Sequence, residues 1–382
     1  MNRFSLLGLL ALALAAAAAP QLQLGRRIQI RAGTPEDREL TAIRAASSPQ
    51  QKLALIEQFA REHPEGDLAL LANQLFVETY AALKDYDHVF LYGERVLAAD
   101  PENLTVATAL VAAAAAKGDL DRLFAYGEKV GRAVAQFAAQ PPPAGVPLEE
   151  WEREKAAALE QARPNLDYIV LTLYEAARQQ QDPTRRATLL ERFLEAFPQA
   201  PAATAAELEV AGIYQRAHQT QQMIAFAQRR VAASATDIPM RLLLADTYSE
   251  QGIELERGEQ LARQVLDLIA HAEKPANVSA EDWQRQLDLQ KGLAYSALGQ
   301  IYVRQNRDAD AVAAFQQAKP LLQTDRVNYA RNLYRLGFTL ARMKRVAEAR
   351  AVLNEVVSLN TPYTPLARDV LRKLAGTRAP RP

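Results

Sequence analysis

The sequence predicts an all-α protein, a solenoid of stacked antiparallel helix hairpins, and three observations carry that prediction. The chain repeats itself: Asp85, Asp87, Phe90, Tyr92, Gly93, Glu94 and Val96 recur as Asp119, Asp121, Phe124, Tyr126, Gly127, Glu128 and Val130, each 34 residues on. A fixed period of about 20–50 residues marks a repeat architecture. Apolar residues recur at i, i+3, i+4 and i+7, whereas period-two alternation over five or more residues is absent. Glycine is scarce, 16 in 382 residues, and alanine runs are long. That composition favours helix, because alanine loses no side-chain entropy there.

Each element follows from local chemistry. Thr34-Pro35-Glu36-Asp37 opens the first helix with a capping hydroxyl, a proline preset for the first helical position, and acids at the positive end of the dipole. Ser48-Pro49-Gln50-Gln51 is a capping box with proline inside it, and the second helix ends at His63-Pro64. Helices are predicted near 66–83 and 86–99, closed by Asp100-Pro101, then near 103–117 and 119–138. Gly118 makes the turn between the last two in the left-handed conformation. Pro141, Pro142 and Pro143 break the pattern, since consecutive prolines cannot sit inside a helix. A charged helix over 148–161 follows. Pairs come next near 165–180 with 184–197, 202–217 with 220–234, 238–252 with 256–273, 283–304 with 308–322, and 326–343 with 346–359. A last helix spans about 363–375, for roughly 16 helices in eight hairpins.

The domain plan is a signal peptide (1–18), a linker (19–33), an N-terminal array (34–139), a proline-rich loop (140–147), a C-terminal array (148–376) and a flexible tail (377–382). Arg3 gives the amino terminus a positive start, Leu6 to Ala15 is apolar, and Ala16, Ala17 and Ala18 are small. That is the layout of an export signal. The apolar run from Leu6 to Ala19 spans 14 residues, short of the roughly 20 that a bilayer span needs. Cleavage near Ala17 or Ala18 is therefore expected rather than an anchor, with a periplasmic or secreted product and no stable membrane span. With no cysteine in the chain, disulfides, thiolate nucleophiles, Cys-ligated zinc and a thiol-anchored lipid are excluded. The 45 basic residues balance 45 acidic ones, with no basic stripe, so nucleic acid is not an expected partner.

Tyr295, Leu298, Gly299, Tyr302, Ala311, Phe315 and Ala318 stand at the spacing of the tetratricopeptide repeat family, which the chain resembles. The family's closing proline is replaced by Gln323, a departure. A following unit offers Leu333, Leu336, Gly337, Leu340, Ala349, Leu353 and Val356, displaced by 38 rather than 34 residues. Tyr80, Lys84-Asp85-Tyr86-Asp87 and Asp100-Pro101 match the second half of a unit, and Gly252, Gly258, Ala262 and Val265 a looser one. Residues 52–64 and 186–198 also resemble each other. The resemblance covers most of 34–376 and implies a right-handed superhelix of hairpins. Small residues such as Gly299 let paired helices approach, and Tyr302 and Phe315 fill the gaps.

Little chemistry is visible. The four histidines (His63, His88, His218 and His271) are scattered, and an ordinary structural role is expected for each. Metal motifs, phosphate-binding glycine loops and the nucleophile-elbow motif are absent, and no cofactor is expected. Glu149-Glu150-Trp151-Glu152 reads as a solvated face with one buried ring rather than a glycosidase site. The resemblance implies a groove lined by the first helix of each hairpin. Carried over by position, its residues are Ser296, Gln300, Arg304, Arg331, Tyr334, Arg335, Phe338 and Arg342, with Gln74 and Glu78 in the first array. Arg304, Arg331, Arg335 and Arg342 would form a basic strip beside Tyr334 and Phe338, suited to an acidic peptide or a free C-terminus. The Lys-x-x-x-Asn pattern of chaperone-tail clamps is absent. The expected function is a non-enzymatic protein- or peptide-binding scaffold in the bacterial cell envelope. The alternatives are a cell-wall hydrolase with an unrecognised carboxylate pair and a purely self-assembling array.

Overall fold

The computed structural model describes residues 22–376. The signal peptide and tail expected at 1–18 and 377–382 lie outside the described residues. Among those described there are seventeen helices and no strand. The chain forms two compact units, up to Ala206 and from Glu207 onward.

In the first unit the helices are α1 (Pro35–Ala45), α2 (Pro49–Glu62), α3 (Gly66–Leu83), α4 (Tyr86–Ala99), α5 (Leu104–Lys117), α6 (Leu120–Ala139), α7 (Leu148–Arg178) and α8 (Pro183–Ala196). The Thr34 hydroxyl accepts from Asp37 N at 3.3 Å, and Ser48 accepts from Gln51 N at 3.2 Å. The Gln51 side chain returns to Ser47 N rather than to Ser48, so the capping box is displaced by one residue. Leu40, Ile43, Ile56, Phe59, Ala72 and Phe76 form the core that joins α1, α2 and α3.

One element differs from the sequence expectation. Residues 148–161 and 165–180 are not two helices but the single α7, with Pro164 inside it. Proline removes one backbone donor there. Trp151 and Ala158 are buried on one side of it and Ile169 and Leu173 on the other, so tertiary packing carries the helix through. The loop 140–147 lies within this unit.

The second unit contains most of α9 (Ala203–Arg216), then α10 (Thr220–Ala233), α11 (Ile238–Gln251), α12 (Leu255–Ala270), α13 (Ala280–Arg304), α14 (Asp308–Leu321), α15 (Arg326–Arg342), α16 (Val346–Ser358) and α17 (Thr364–Gly376). Gly299 of α13 faces Phe315 of α14, and a Cβ added to it would fall 2.5 Å from the ring. Gly337 of α15 meets Leu353 of α16 in the same way, at 2.7 Å. These close approaches are what the glycines of the repeat permit. Ala318, Leu322, Tyr329, Leu333, Leu353 and Val356 continue the core to Ala367 of α17.

One turn recurs through both units. Lys84, Gly118, His218, Gly252, Asn306 and Lys344 each follow the first helix of a hairpin with φ between 56° and 71°. The next residue donates its N–H back five positions: Asp85 to Tyr80 O, Asp119 to Ala114 O, Gln219 to Tyr214 O, Ile253 to Tyr248 O, Arg307 to Tyr302 O and Arg345 to Leu340 O, at 2.8–3.1 Å. This is the long bond of the Schellman motif. The turns at 84 and 118, and at 218 and 252, are 34 residues apart, and those at 306 and 344 are 38 apart. Four of these six residues are not glycine, although the left-handed conformation costs an L-residue about 1–2 kcal/mol.

Candidate functional site

Within the second unit, six of the eight expected groove residues come together. Gln300 and Arg304 of α13 and Tyr334, Arg335, Phe338 and Arg342 of α15 line one recess of about 580 Å³. They share it because α13 and α15 are the first helices of successive hairpins. Tyr363 and Leu366, at the start of α17, add to the wall. Tyr334 stacks on Tyr363 at 6.1 Å and tilts against Phe338 at 6.4 Å. Burial pushes both tyrosine hydroxyls upward in pKa, so they stay neutral donors. Phe338 is 43% exposed and Leu366 47%, an apolar surface that no element among the described residues fully covers.

Ser296 and Arg331 do not line the recess. Ser296 is buried, and its hydroxyl accepts from Arg335 Nη1 at 3.3 Å. Arg331 Nη1 is bound to Asp246 at 2.7 Å on α11, beneath the recess wall.

The basic strip is corrected by the structure, because its arginines are spent on neighbouring hairpins. Arg335, only 6% exposed, reaches Asp246 at 3.4 Å and also contacts Glu250, both on α11. Arg342 donates through Nε to Asp308 at 2.9 Å and through Nη2 to Val303 O at 3.2 Å. Arg304 caps the end of α11, donating to Ser249 O at 3.2 Å and Glu250 O at 2.6 Å. A guanidinium at a helix C-terminus meets the negative end of the dipole. Burial pushes the Asp246 carboxyl up, but Arg331 and Arg335 together hold it below the usual carboxylate range. The Nη1 groups of Arg304 and Arg342 have no partner among the described residues.

Glu250, Asp246, Asp308, Tyr363 and Leu366 were not legible as site residues. One signal was available for Glu250. It stands two residues before a turn residue, Gly252, where Arg216, Arg304 and Arg342 stand before His218, Asn306 and Lys344. An acid in a position that arginine holds at the other three such turns of the second unit marks an exception there.

The first unit has its own recess, of about 880 Å³, and Gln74 and Glu78 line it together with Arg44, Gln161 and Asn165. Lys52 is bound to Glu78 at 2.8 Å. This recess lacks exposed aromatic side chains, which dominate the energetics of protein interfaces. Trp151 is buried, as expected for the acidic stretch, with Nε1 bound to Gln140 O at 2.9 Å. Among the described residues, Glu39, Glu62 and His63 bring three potential metal-ligand atoms within 4.8 Å of one another. His63 Nε2 lies 2.9 Å from Glu39, a hydrogen-bonding contact that ties the end of α2 to α1.

The model of the tetratricopeptide repeat family matches residues 330–362, which cover most of α15 and all of α16. No curated protein matches the chain. Among solved structures, the chain is similar to a chain of the APC/C hetero-tetramer Cut9–Hcn1, with 12% identity and a TM-score of 0.41 over 89% of this chain and 54% of that one. It thus spans about half the length of that chain. It is also similar to TTC0263, a thermophilic TPR protein of Thermus thermophilus, with 19% identity and a TM-score of 0.32 over 55% of this chain and 94% of that one. Similarity to yeast Tom70 has 11% identity and a TM-score of 0.28 over 89% of this chain and 87% of that one. Residues 330–362 thus form a tetratricopeptide repeat, set in an all-α series of hairpins joined by one recurring turn, and a repeat of this kind implies a protein-interaction scaffold.

Proposed function

We propose that this protein is a non-enzymatic adaptor of the bacterial cell envelope, and that the recess of the second unit takes a peptide segment of a protein partner. The observation that carries this reading is the pairing of exposed Phe338 and Leu366 with the unspent Nη1 groups of Arg304 and Arg342. An aliphatic or aromatic side chain beside a carboxylate complements that surface. Apolar contact supplies affinity, and the guanidiniums supply register. The carboxylate belongs to an acidic side chain or to a free C-terminus.

The envelope location rests on Arg3 and the apolar run Leu6–Ala15. None of the described helices is long and apolar enough to cross a membrane. Fractionation of the host cell and the mass of the mature N-terminus test this part. A cytoplasmic product that retains Met1 refutes it.

Binding is tested by calorimetric titration with an acetylated peptide ending Asp-Glu-Asp-Leu-Phe as the free acid, the same peptide as its C-terminal amide, and a neutral Ser-Gln-Ser-Leu-Phe amide. The free acid is expected to bind best. An acidic amide that matches it assigns the carboxylate to side chains, and one that matches only the neutral peptide assigns it to the C-terminus. Phe338→Glu is expected to weaken binding by more than about tenfold, the scale of an interface anchor. Failure of all three peptides to bind, or equal binding to the Phe338→Glu variant, refutes the recess as the site.

A further inference from the structure

Among the described residues, Glu250 is the one acidic side chain in the wall of the recess. It is half exposed, whereas Arg335, the guanidinium it contacts, is almost wholly buried. Three features of this pair are unusual for a simple ion pair.

Glu250 occupies the last turn of α11, where the helix dipole disfavours a negative charge. On α9, α13 and α15 the same position, two residues before the turn, is arginine. At α13 and α15 that arginine stitches its helix to the first helix of the preceding hairpin, α11 and α13 respectively. Glu250 therefore departs from the local pattern and sits on a locally unfavourable site.

Arg335 does not depend on Glu250 for a partner. Asp246 stands 3.4 Å from its Nη2, and the Ser296 hydroxyl takes Nη1. Asp246 is also fixed in place by Arg331 at 2.7 Å. If the Glu250 side chain swings away, Arg335 keeps one carboxylate and one hydroxyl, and the buried charge is not abandoned. The cost of opening this contact is an exchange of one carboxylate for another or for water.

Asp246, Glu250, Arg331 and Arg335 carry two negative and two positive charges. With Glu250 in place the group is neutral. With Glu250 withdrawn it carries one net positive charge, facing the recess beside Arg304.

We infer that Glu250 is an internal ligand of the recess: its carboxylate fills the anion position on Arg335 that a partner's carboxylate takes on binding, and so it sets the affinity and selectivity of the site for acidic segments. The inference rests on the recess being the peptide site. A neutral apolar peptide meets Phe338, Tyr334 and Leu366 without disturbing Glu250, whereas an acidic one competes with it. The competition is intramolecular, so the apparent affinity falls by the fraction of molecules in which Arg335 is free.

The test compares the wild type with Glu250→Gln and Glu250→Asp by calorimetric titration with the acidic free-acid peptide and the neutral amide described above. Glutamine removes the competing charge, and aspartate keeps the charge but shortens its reach. Glu250→Gln is expected to bind the acidic peptide about tenfold tighter, as when an internal competitor holds nine-tenths of the sites. Glu250→Asp is expected to fall between Glu250→Gln and the wild type, and the neutral peptide to change by less than about twofold.

Equal or weaker binding of the acidic peptide by Glu250→Gln overturns the inference and assigns Glu250 to the organisation of Arg335. An equal gain for both peptides also overturns it, because Glu250 then only blocks space. Should the glutamine variant not fold, the aspartate variant decides alone: no gain for the acidic peptide overturns the proposal. Absence of binding by the wild type and by both variants fails the recess itself. Wild-type binding without a Glu250 effect fails only this inference.

Discussion

Lys155 is expected to hold the end of α6 in place of a backbone cap, and replacing it by methionine tests this directly. Helix α6 ends at Ala139 with its last carbonyls unbonded within the helix. The usual remedy is a pair of N–H groups from the residues that follow. Here Gln140 donates to Phe137 O at 3.2 Å, and then three prolines follow, with no N–H to give. The donors come instead from α7. Lys155 Nζ bonds Ala138 O at 2.8 Å and Gln140 O at 3.2 Å, and Trp151 Nε1 bonds Gln140 O at 2.9 Å. The third ammonium proton meets Glu152 at 2.8 Å. Lys155 is only 6% exposed, so water does not replace these bonds.

Lys155→Met keeps the packing of the stem and removes the donors. A hydrogen bond from a charged group contributes about 1.5–3 kcal/mol, and the dipole term adds up to about 1 kcal/mol. Two bonds share one ammonium group, so the expected loss is about 2–4 kcal/mol rather than their sum. Trp151→Phe removes one neutral bond, for about 1–2 kcal/mol. Glu152 is more than half exposed, and Glu152→Gln is expected to cost under about 0.5 kcal/mol. Urea unfolding followed by far-ultraviolet circular dichroism gives the stabilities, and amide exchange locates the effect in the last turn of α6. Pro141→Gly restores a donor and a residue able to turn left-handed, and it should shrink the cost of Lys155→Met. A Lys155→Met protein within about 0.5 kcal/mol of the wild type, with unchanged exchange in that turn, would refute the capping argument.

Three further outcomes follow from the same geometry. Lys84→Gly and Lys344→Gly should each stabilise by about 0.5–1 kcal/mol in urea unfolding, because glycine removes the left-handed penalty at a turn that is already formed. Gly131→Ala should destabilise by about 1–3 kcal/mol, although alanine is the better helix former, because its Cβ would fall 2.4 Å from the Ala196 carbonyl oxygen and α6 and α8 would have to part. Asp246→Asn should destabilise at neutral pH, and the gap should close on acidification: the Asp246 pKa is lowered in the fold, so its contribution is present above the ordinary carboxylate pKa of about 4 and is lost as pH falls through the lower folded value. Urea midpoints of both proteins at neutral pH and at about pH 3 measure this, and a constant or widening gap would contradict the assigned sign.

The fold was legible because its signals are local. The caps at Thr34 and Ser48 and the glycines at 118 and 252 each act within a few residues of their own position, and the period of 34 repeats such local signals along the chain. What was not legible depends on neighbours. Nothing in the propensity of Lys84, His218 or Lys344 announces a left-handed residue, because the hairpin imposes it. Pro164 reads as a break, yet the buried residues to either side of it hold α7 together. The site divides along the same line. Helix position placed six side chains in one recess, because the first helices of successive hairpins present equivalent faces. The acids that neutralise its arginines come from 34 to 89 residues earlier in the chain, at separations no local pattern reports. This has a physical cause in the repeat itself. Stacking brings equivalent positions of successive hairpins side by side, so a charge that looks exposed on one helix meets its counter-charge on the helix before it. A row of arginines on the first helices of a repeat array is therefore first a set of stitches between hairpins. On the proposed reading, Nη1 of Arg304 and of Arg342, left after that pairing at the recess, act together with any contact a ligand can exchange, such as that of Glu250 with Arg335, to recognise a partner.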